Sequence, residues 1–309
     1  MGHLMWPSLV LRNTIDVFRV FFGFIQSITK LIIWRPDVVF TKGGYVCLPV
    51  GIAARLLRIP LVIHDSDAHP GLTNRILSRW ATMIATGAPL EYYQYQSEKS
   101  RYVGIPISPE FHEFTDKERT NAKRQWGIDE SRPLLVVTGG GLGASRINNA
   151  VVMVINDLQK LASVILVSGS GQFDELRSIT PQNDQNFQLH PFISKDMALL
   201  LGAADVVIAR AGATTILELA SLARPTILVP NGKLTGGHQL KNAAVYMKKD
   251  AVVVVDENKI IDDPHILVRA VKELLSNPKQ TNSMVKSFSS FVMPNAARDV
   301  ADMIISCVK

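Results

Sequence analysis

Three short stretches of the sequence carry residues able to bind an anionic, hydroxyl-rich ligand. The first is Thr138-Gly139-Gly140-Gly141-Leu142-Gly143-Ala144-Ser145, directly after the apolar run Leu134-Leu135-Val136-Val137. Glycines placed between a strand and a helix let backbone N–H groups converge on an anion at the helix N-terminus. It is not a Walker A loop, since Gly-Lys-Ser/Thr is missing, nor a dinucleotide fingerprint followed by a ribose acid. A tight structural turn would use the same glycines.

The second stretch runs from Asp205 to Ala243. Val206-Val207-Ile208-Ala209 reads as a buried strand, Arg210-Ala211-Gly212-Ala213 as its turn, and a helix then carries Glu218 between Leu217 and Leu219. A carboxylate there faces either the solvent edge or a ligand, and a sugar diol suits its paired acceptors. His238, Gln239 and Asn242 follow the next strand, with amides and an imidazole that match sugar hydroxyls. Ordinary surface polarity would account for any one of them. The third stretch, His64-Asp65-Ser66-Asp67-Ala68-His69-Pro70-Gly71, ends a strand in the first half. Asp65, Asp67 and His69 are its candidates for a general base, and helix capping by Ser66 or Asp67 is the structural alternative. No metal site is expected, because no Cys/His cluster has ligand spacing.

The elements that must position these residues alternate in type. Strands are expected at Asp37–Phe40, Pro60–His64, Thr82–Thr86 and Arg101–Gly104, with helices at Val46–Leu57 and Gly71–Trp80 between them. A second series begins at Leu134 and continues through strands at Val164, Phe187, Val206, Thr226 and Ala251. This rhythm predicts an α/β protein of two doubly wound Rossmann-like domains, parallel in sheet, with the ligand between them at the strand C-termini. The mixed-charge segment Glu110–Arg132 holds the expected boundary, giving domains 1–127 and 128–309, with the last helix packing back on the first. A helix over Leu11–Ile33 has an apolar arc wider than one stripe. It is read as buried on two sides, the alternative being a membrane surface.

The 309 residues are 47% apolar and 19% charged, which excludes a disordered chain. Two distant cysteines, Cys47 and Cys307, argue against a disulfide framework and fit a reducing cytoplasm. The net charge of +6 favours an anionic partner, namely nucleic acid, an anionic membrane or a phosphorylated substrate.

The chain resembles the MurG-type family of bacterial UDP-N-acetylglucosamine transferases, which complete lipid II and have the GT-B fold. The resemblance is carried in order by Arg35-Pro36-Asp37-Val38-Val39, Gly43-Gly44-Tyr45, Ile59-Pro60, Pro70-Gly71-Leu72-Thr73-Asn74-Arg75, Gly139-Gly140, Gly143-Ala144 with Asn148, Arg210-Ala211-Gly212-Ala213, Glu218-Leu219-Ala220 and His238-Gln239 with Asn242. It implies that Glu218 binds the uridine ribose, Gln239 reads the GlcNAc hydroxyls, and Gly139, Gly140, Gly141, Gly143 and Ala144 face the diphosphate. Arg210, Gly212, Ala213, His238 and Asn242 complete the donor set. The implied reaction is inverting transfer of GlcNAc from UDP-GlcNAc to undecaprenyl-pyrophosphoryl-MurNAc-pentapeptide, without metal or other cofactor. It would proceed at the cytoplasmic face of an anionic membrane, with no nucleic-acid partner.

The chain also departs from the family. The opening strand and its Gly-Gly-Thr-Gly-Gly-His loop are missing, so the first domain is expected to lack its initial strands. A fragment, a mis-assigned start, or a split enzyme whose partner supplies those strands would each explain this. Asp67 stands where the family has an amide, and Ser108 where it has a cation. These changes keep two alternatives open: a non-catalytic or split-enzyme UDP-sugar-binding subunit, and a related glycolipid glycosyltransferase.

Overall fold

Short β-branched runs with no polar face become central parallel strands, and helices return each strand to the same end of its sheet. The computed structural model describes residues 6–140, 143–181, 184–232 and 235–308, with side chains from residue 18 onward except at 235. Contacts divide the chain into two compact units, Met1–Ile105 with Asn295–Lys309, and Pro106–Pro294.

The first unit opens with helix α1 (Trp6–Trp34) and alternates β1 (Val39–Thr41), α2 (Cys47–Leu56), β2 (Leu61–Asp65), α3 (Leu72–Leu77), β3 (Met83–Thr86) and β4 (Ser100–Tyr102). Its sheet is parallel in the order β1-β2-β3-β4, with Val39 opposite Leu61 and His64 opposite Ala85. Among the described residues β1 therefore has an unpaired outer edge. Helix α14 (Ala296–Ile305) belongs to this unit, where Val300 and Met303 pack with Ala85 and Val103.

Helix α1 is buried along one stripe only. Leu31 is buried, and Phe24 and Ile28 pack on the cluster formed by Val39, Ala53, Ala54 and Leu77. Those positions recur at helical spacing on one face. Phe18, Phe21, Phe22, Ile25, Ile32, Ile33 and Trp34 are exposed, Trp34 at 78%. The expected two-sided burial is not met among the described side chains, because α2 covers one face and nothing in the unit covers the other.

The second unit contains α4 (Asp116–Gln125), β5 (Leu134–Thr138), α5 (Ser145–Met153), α6 (Ile155–Leu161), β6 (Ser163–Val167), α7 (Phe173–Ile179), β7 (Phe187–His190), α8 (Met197–Ala203), β8 (Val206–Ala209), α9 (Ala213–Ser221) and β9 (Thr226–Leu228). It then runs through α10 (His238–Met247), β10 (Val253–Val254), α11 (Glu257–Asp262), α12 (His265–Ser276) and α13 (Pro278–Ser289). The parallel sheet has the order β10-β9-β8-β5-β6-β7. Strand β5 pairs with β6 on one side and β8 on the other, so the chain reverses its direction of winding between β5 and β8. In this architecture ligands lie outside the strand C-termini at that switch point. The core on one face is built by Ile147, Val151, Leu158, Leu267 and Val271 against Leu135, Val137, Val164 and Ile208.

The division between units falls at Ile105–Pro106 rather than after residue 127. Helix α4 is the reason. Thr115 and Glu118 close a capping box at its start. Arg119 and Lys123 then both pair with Asp205, the Lys123 contact at 2.8 Å, and Asp205 also accepts from the Leu134 amide at 2.8 Å. The mixed-charge segment expected to hold the boundary is thus fixed to the base of β5 and β8. Asp205→Ala leaves two cations and an amide without their acceptor. We expect a loss of about 2–3 kcal/mol in unfolding free energy, measured by urea denaturation followed through tryptophan fluorescence.

Candidate functional site

The glycine loop is shaped by close backbone approach. Gly140 and Gly143 take positive φ of 75° and 72°. A Cβ on Gly139 would lie 2.4 Å from the Ala144 nitrogen, and one on Gly143 would lie 2.7 Å from the Ser168 carbonyl oxygen. The Gly143 amide donates to the Gly140 carbonyl at 2.9 Å, which folds the loop over the end of β5. Behind it, Asn148 donates to the Ser168 carbonyl and to Gln172, both at 2.8 Å, tying α5 to the turn after β6. Gly141 lies outside the described residues.

Thr138 and Ala209 are register partners, so β5 and β8 end level with each other. The helices that follow, α5 and α9, have Ala144 and Gly212 as their N-cap residues, and neither cap makes a side-chain hydrogen bond. Alanine is among the poorest N-caps, and neither residue has a side-chain acceptor for the first-turn N–H groups. Two helix starts at one sheet switch point therefore direct partial positive charge to the same end of the unit. This arrangement suits a diphosphate.

Glu218 stands on α9, half-buried. Burial raises its pKa above the ordinary carboxylate range. Among the described residues its carboxylate has no hydrogen-bond or ion-pair partner. A half-buried carboxylate without donors is costly unless a ligand supplies them. Ala213 opens α9 and His238 opens α10, where a Cβ on Gly236 would lie 2.8 Å from the imidazole Nε2.

Three of the residues expected in the donor set hold the loops. The Arg210 guanidinium pairs with Glu257 and donates to the Val229 carbonyl at 3.1 Å. Asn242 is buried and donates to the Ala211 carbonyl at 3.1 Å. Gln239 accepts from the Asn231 amide at 2.8 Å. Each satisfies buried backbone at a strand end, as close packing there requires.

In the first unit, the stretch after β2 is also largely committed. His64 is fully buried; its Nε2 donates to the Gly104 carbonyl at 2.8 Å and its Nδ1 accepts from Ser66 at 3.2 Å. Burial lowers its pKa, which keeps the ring neutral. Asp65 is 5% exposed and accepts from the Tyr95 hydroxyl at 2.7 Å. Burial is the largest cause raising its pKa to about 7, outweighing the donors Tyr95, Asn74 and Gly71, while Asp67 adds to the rise. Asp67 and His69 are half-buried on the same turn. Among the described residues no cluster of three His, Cys, Asp or Glu is placed to hold a metal ion.

Arg146, Glu257 and Tyr95 are site-holding residues that no local motif marks. Arg146 donates to Glu257 at 2.9 Å across 111 positions, a separation that no local spacing reveals.

Residues 134–302 match the profile of the glycosyltransferase family 28 C-terminal domain, and residues 6–86 that of the family's N-terminal domain. A UDP-N-acetylglucosamine–N-acetylmuramyl-(pentapeptide) pyrophosphoryl-undecaprenol N-acetylglucosamine transferase of Clostridium kluyveri is 33% identical over 301 residues, spanning 97% of this chain and 80% of that protein. The transferase of the same name from an Exiguobacterium is 34% identical over 302 residues, 96% of this chain and 81% of its own. Among solved structures, MurG of Acinetobacter baumannii superposes with a TM-score of 0.73 at 25% identity, covering 94% of this chain and 79% of that one. The UDP-GlcNAc 2-epimerase of Neisseria meningitidis bound to UDP-GlcNAc shares the fold, with a TM-score of 0.67 at 12% identity, over 93% and 81% of the two chains.

Asp65 gives a prediction with a definite sign. Its folded-state pKa, about 7, lies above the unfolded value of 3.8, so folding takes up a proton between them. Its contribution is fully present below about pH 4 and is lost as pH rises through about 7. Asp65→Asn should therefore be more stable than the wild type by about 1–4 kcal/mol at about pH 8. The gap should close near pH 4, as read by thermal unfolding across pH.

Proposed function

The chain belongs to glycosyltransferase family 28, and from that premise we propose that it moves N-acetylglucosamine from UDP-GlcNAc to undecaprenyl-pyrophosphoryl-MurNAc-pentapeptide, converting lipid I to lipid II in peptidoglycan synthesis. The observation that carries the donor half is the pair of helix starts at the switch point, with Glu218 beside them lacking donors. In this reading the diphosphate sits at the first turns of α5 and α9. The ribose hydroxyls donate to Glu218, and Gly139, Gly140, Gly143, Gly212 and Ala213 supply close backbone. Arg210, Gln239 and Asn242 act from behind by fixing the strand-end loops, and His238 lies at the start of α10. The acceptor's 4-hydroxyl oxygen attacks C1 of GlcNAc, the bond from C1 to the UDP oxygen breaks, and the configuration at C1 inverts. Charge building on the departing UDP is stabilised by N–H groups already oriented in the fold.

The acceptor proton is assigned to the turn after β2. Asp67 and His69 are half-buried there, while Asp65 is more deeply buried behind them with one oxygen taken by Tyr95. Asp65 therefore holds the turn in place, and its neighbours meet the substrate.

The face of α1 supports a lipid-linked acceptor. Phe18, Phe22, Ile33 and Trp34 are exposed, and a groove of about 820 Å³ runs between α1 and α2 with Arg19 and Lys30 along it. No described helix is long and apolar enough to cross a membrane. Aromatic residues beside basic ones suit the surface of an anionic bilayer, so the reading places the enzyme peripherally on the cytoplasmic leaflet. The outer edge of β1, where the Thr41 hydroxyl is buried without a partner, is where a strand-bearing partner would add.

Three measurements test this reading. Glu218→Ala should weaken UDP binding by about 10–100-fold in calorimetry, the loss expected for hydrogen bonds to a charged acceptor. His69→Ala or Asp67→Asn should leave UDP affinity unchanged and lower GlcNAc transfer to a lipid I analogue by about 100-fold or more. Transfer that survives both changes would contradict the assignment of the turn. For the membrane surface, Phe22→Ser with Trp34→Ser should reduce co-sedimentation with phosphatidylglycerol vesicles about tenfold or more, whereas unchanged binding would remove α1 from the contact.

A further inference from the structure

Glu257 is the first residue of α11, beyond the end of β10, and is 4% exposed. Its two carboxylate oxygens go to different elements. Oε1 receives Arg210, from the turn after β8, and Oε2 receives Arg146, from the first turn of α5, at 2.9 Å. Arg210 is held a second time by the Val229 carbonyl, at the end of β9. One buried anion thus joins the starts of α5 and α11 with the ends of β8 and β9, all at the same end of the sheet. Two guanidinium groups share one carboxylate, so the trio carries a surplus positive charge.

The two arginines differ in what they have left. Arg210 is 10% exposed in its side chain and bound twice, whereas Arg146 is 29% exposed. Among the described residues the hydrogen bonds of Arg146 go to Glu257 alone. A guanidinium has five N–H donors, so Arg146 keeps several for a ligand. It follows the glycine loop directly, one residue after Ser145.

We propose that Glu257 is a positioning residue for the donor diphosphate. It fixes the spacing between the start of α5 and the turn after β8, and it holds Arg146 so that its remaining donors reach a phosphate. The proposal rests on the donor site described above. It also gives a source for positive charge near the phosphates in a chain with Ser108 where its resemblance to the family leads one to expect a cation. The phosphate supplies the second negative charge that the trio lacks, which ties the effect to the diphosphate and not to the nucleoside.

The test compares UDP with uridine by calorimetry on the full chain. Glu257→Gln keeps the side-chain volume while removing the charge, and Arg146→Ala alters a more exposed position, so the pair guards against a variant that merely unfolds. Each should weaken UDP about tenfold or more, leave uridine within about twofold, and give no further loss when combined, because both act through one contact. Equal weakening of UDP and uridine would mean general loosening of the fold and would overturn the proposal, as would UDP binding indifferent to both changes. A wild-type chain that binds no UDP would remove the donor reading and this role with it. UDP binding that ignores Glu257 would remove only the role.

Discussion

The reversal of winding between β5 and β8 is the constraint on which the donor half depends. Parallel strands end in the same direction, and helices leaving neighbouring strands on opposite sides of the switch open a crevice lined by their first turns. Here the cap positions are Ala144 and Gly212, which leave first-turn N–H groups without side-chain acceptors. Everything else in that corner acts to hold this geometry. Gly139 and Gly143 allow the loop to close where any side chain would collide with backbone. Asn148, Asn242, Gln239 and Arg210 take up the polar groups of the loops, and Glu257 joins the farthest of them.

The first unit works from a different balance. Its sheet buries His64 and Asp65 at the end of β2, and burial drives both towards their neutral forms. A neutral His64 can donate to Gly104 and accept from Ser66 at once, which a charged ring could not do. The turn that follows is therefore rigid at its base, with Asp67 and His69 carried further out. In the same unit, α1 leaves aromatic side chains uncovered, a feature that costs solubility unless a surface or partner covers it.

Much of this was legible in the sequence. The runs at Leu134, Val164 and Val206 are β-branched or leucine-rich and bounded by glycine or small residues, and each became a central strand. The glycine loop after Val137 and the carboxylate at Glu218 were readable because both violate the local apolar pattern. Periodicity could not show which polar residues would be spent on the fold. Arg210 is expected in the donor set, and its ion-pair partner Glu257 lies 47 positions away, beyond the reach of any local spacing. The mixed charges of Glu110–Arg132 likewise do not reveal that Asp205, which anchors the segment, lies on another element. The apolar period that runs on past Ser145 does not show that α5 and α6 are separate helices, divided at Val154, whose backbone leaves helical geometry. Helix α7 spans only seven residues, too few to show an apolar period, and α13 is polar over much of its length.

The central claim is that the donor's diphosphate lies at the paired helix starts with its ribose on Glu218. The most direct test is an experimental structure of the chain with UDP-GlcNAc. The account predicts phosphate oxygens about 2.7–3.2 Å from backbone nitrogens in the first turns of α5 and α9, and ribose hydroxyls about 2.5–3.0 Å from the Glu218 carboxylate. A donor bound with its phosphates away from both helix starts, or with Glu218 facing no hydroxyl, would contradict it.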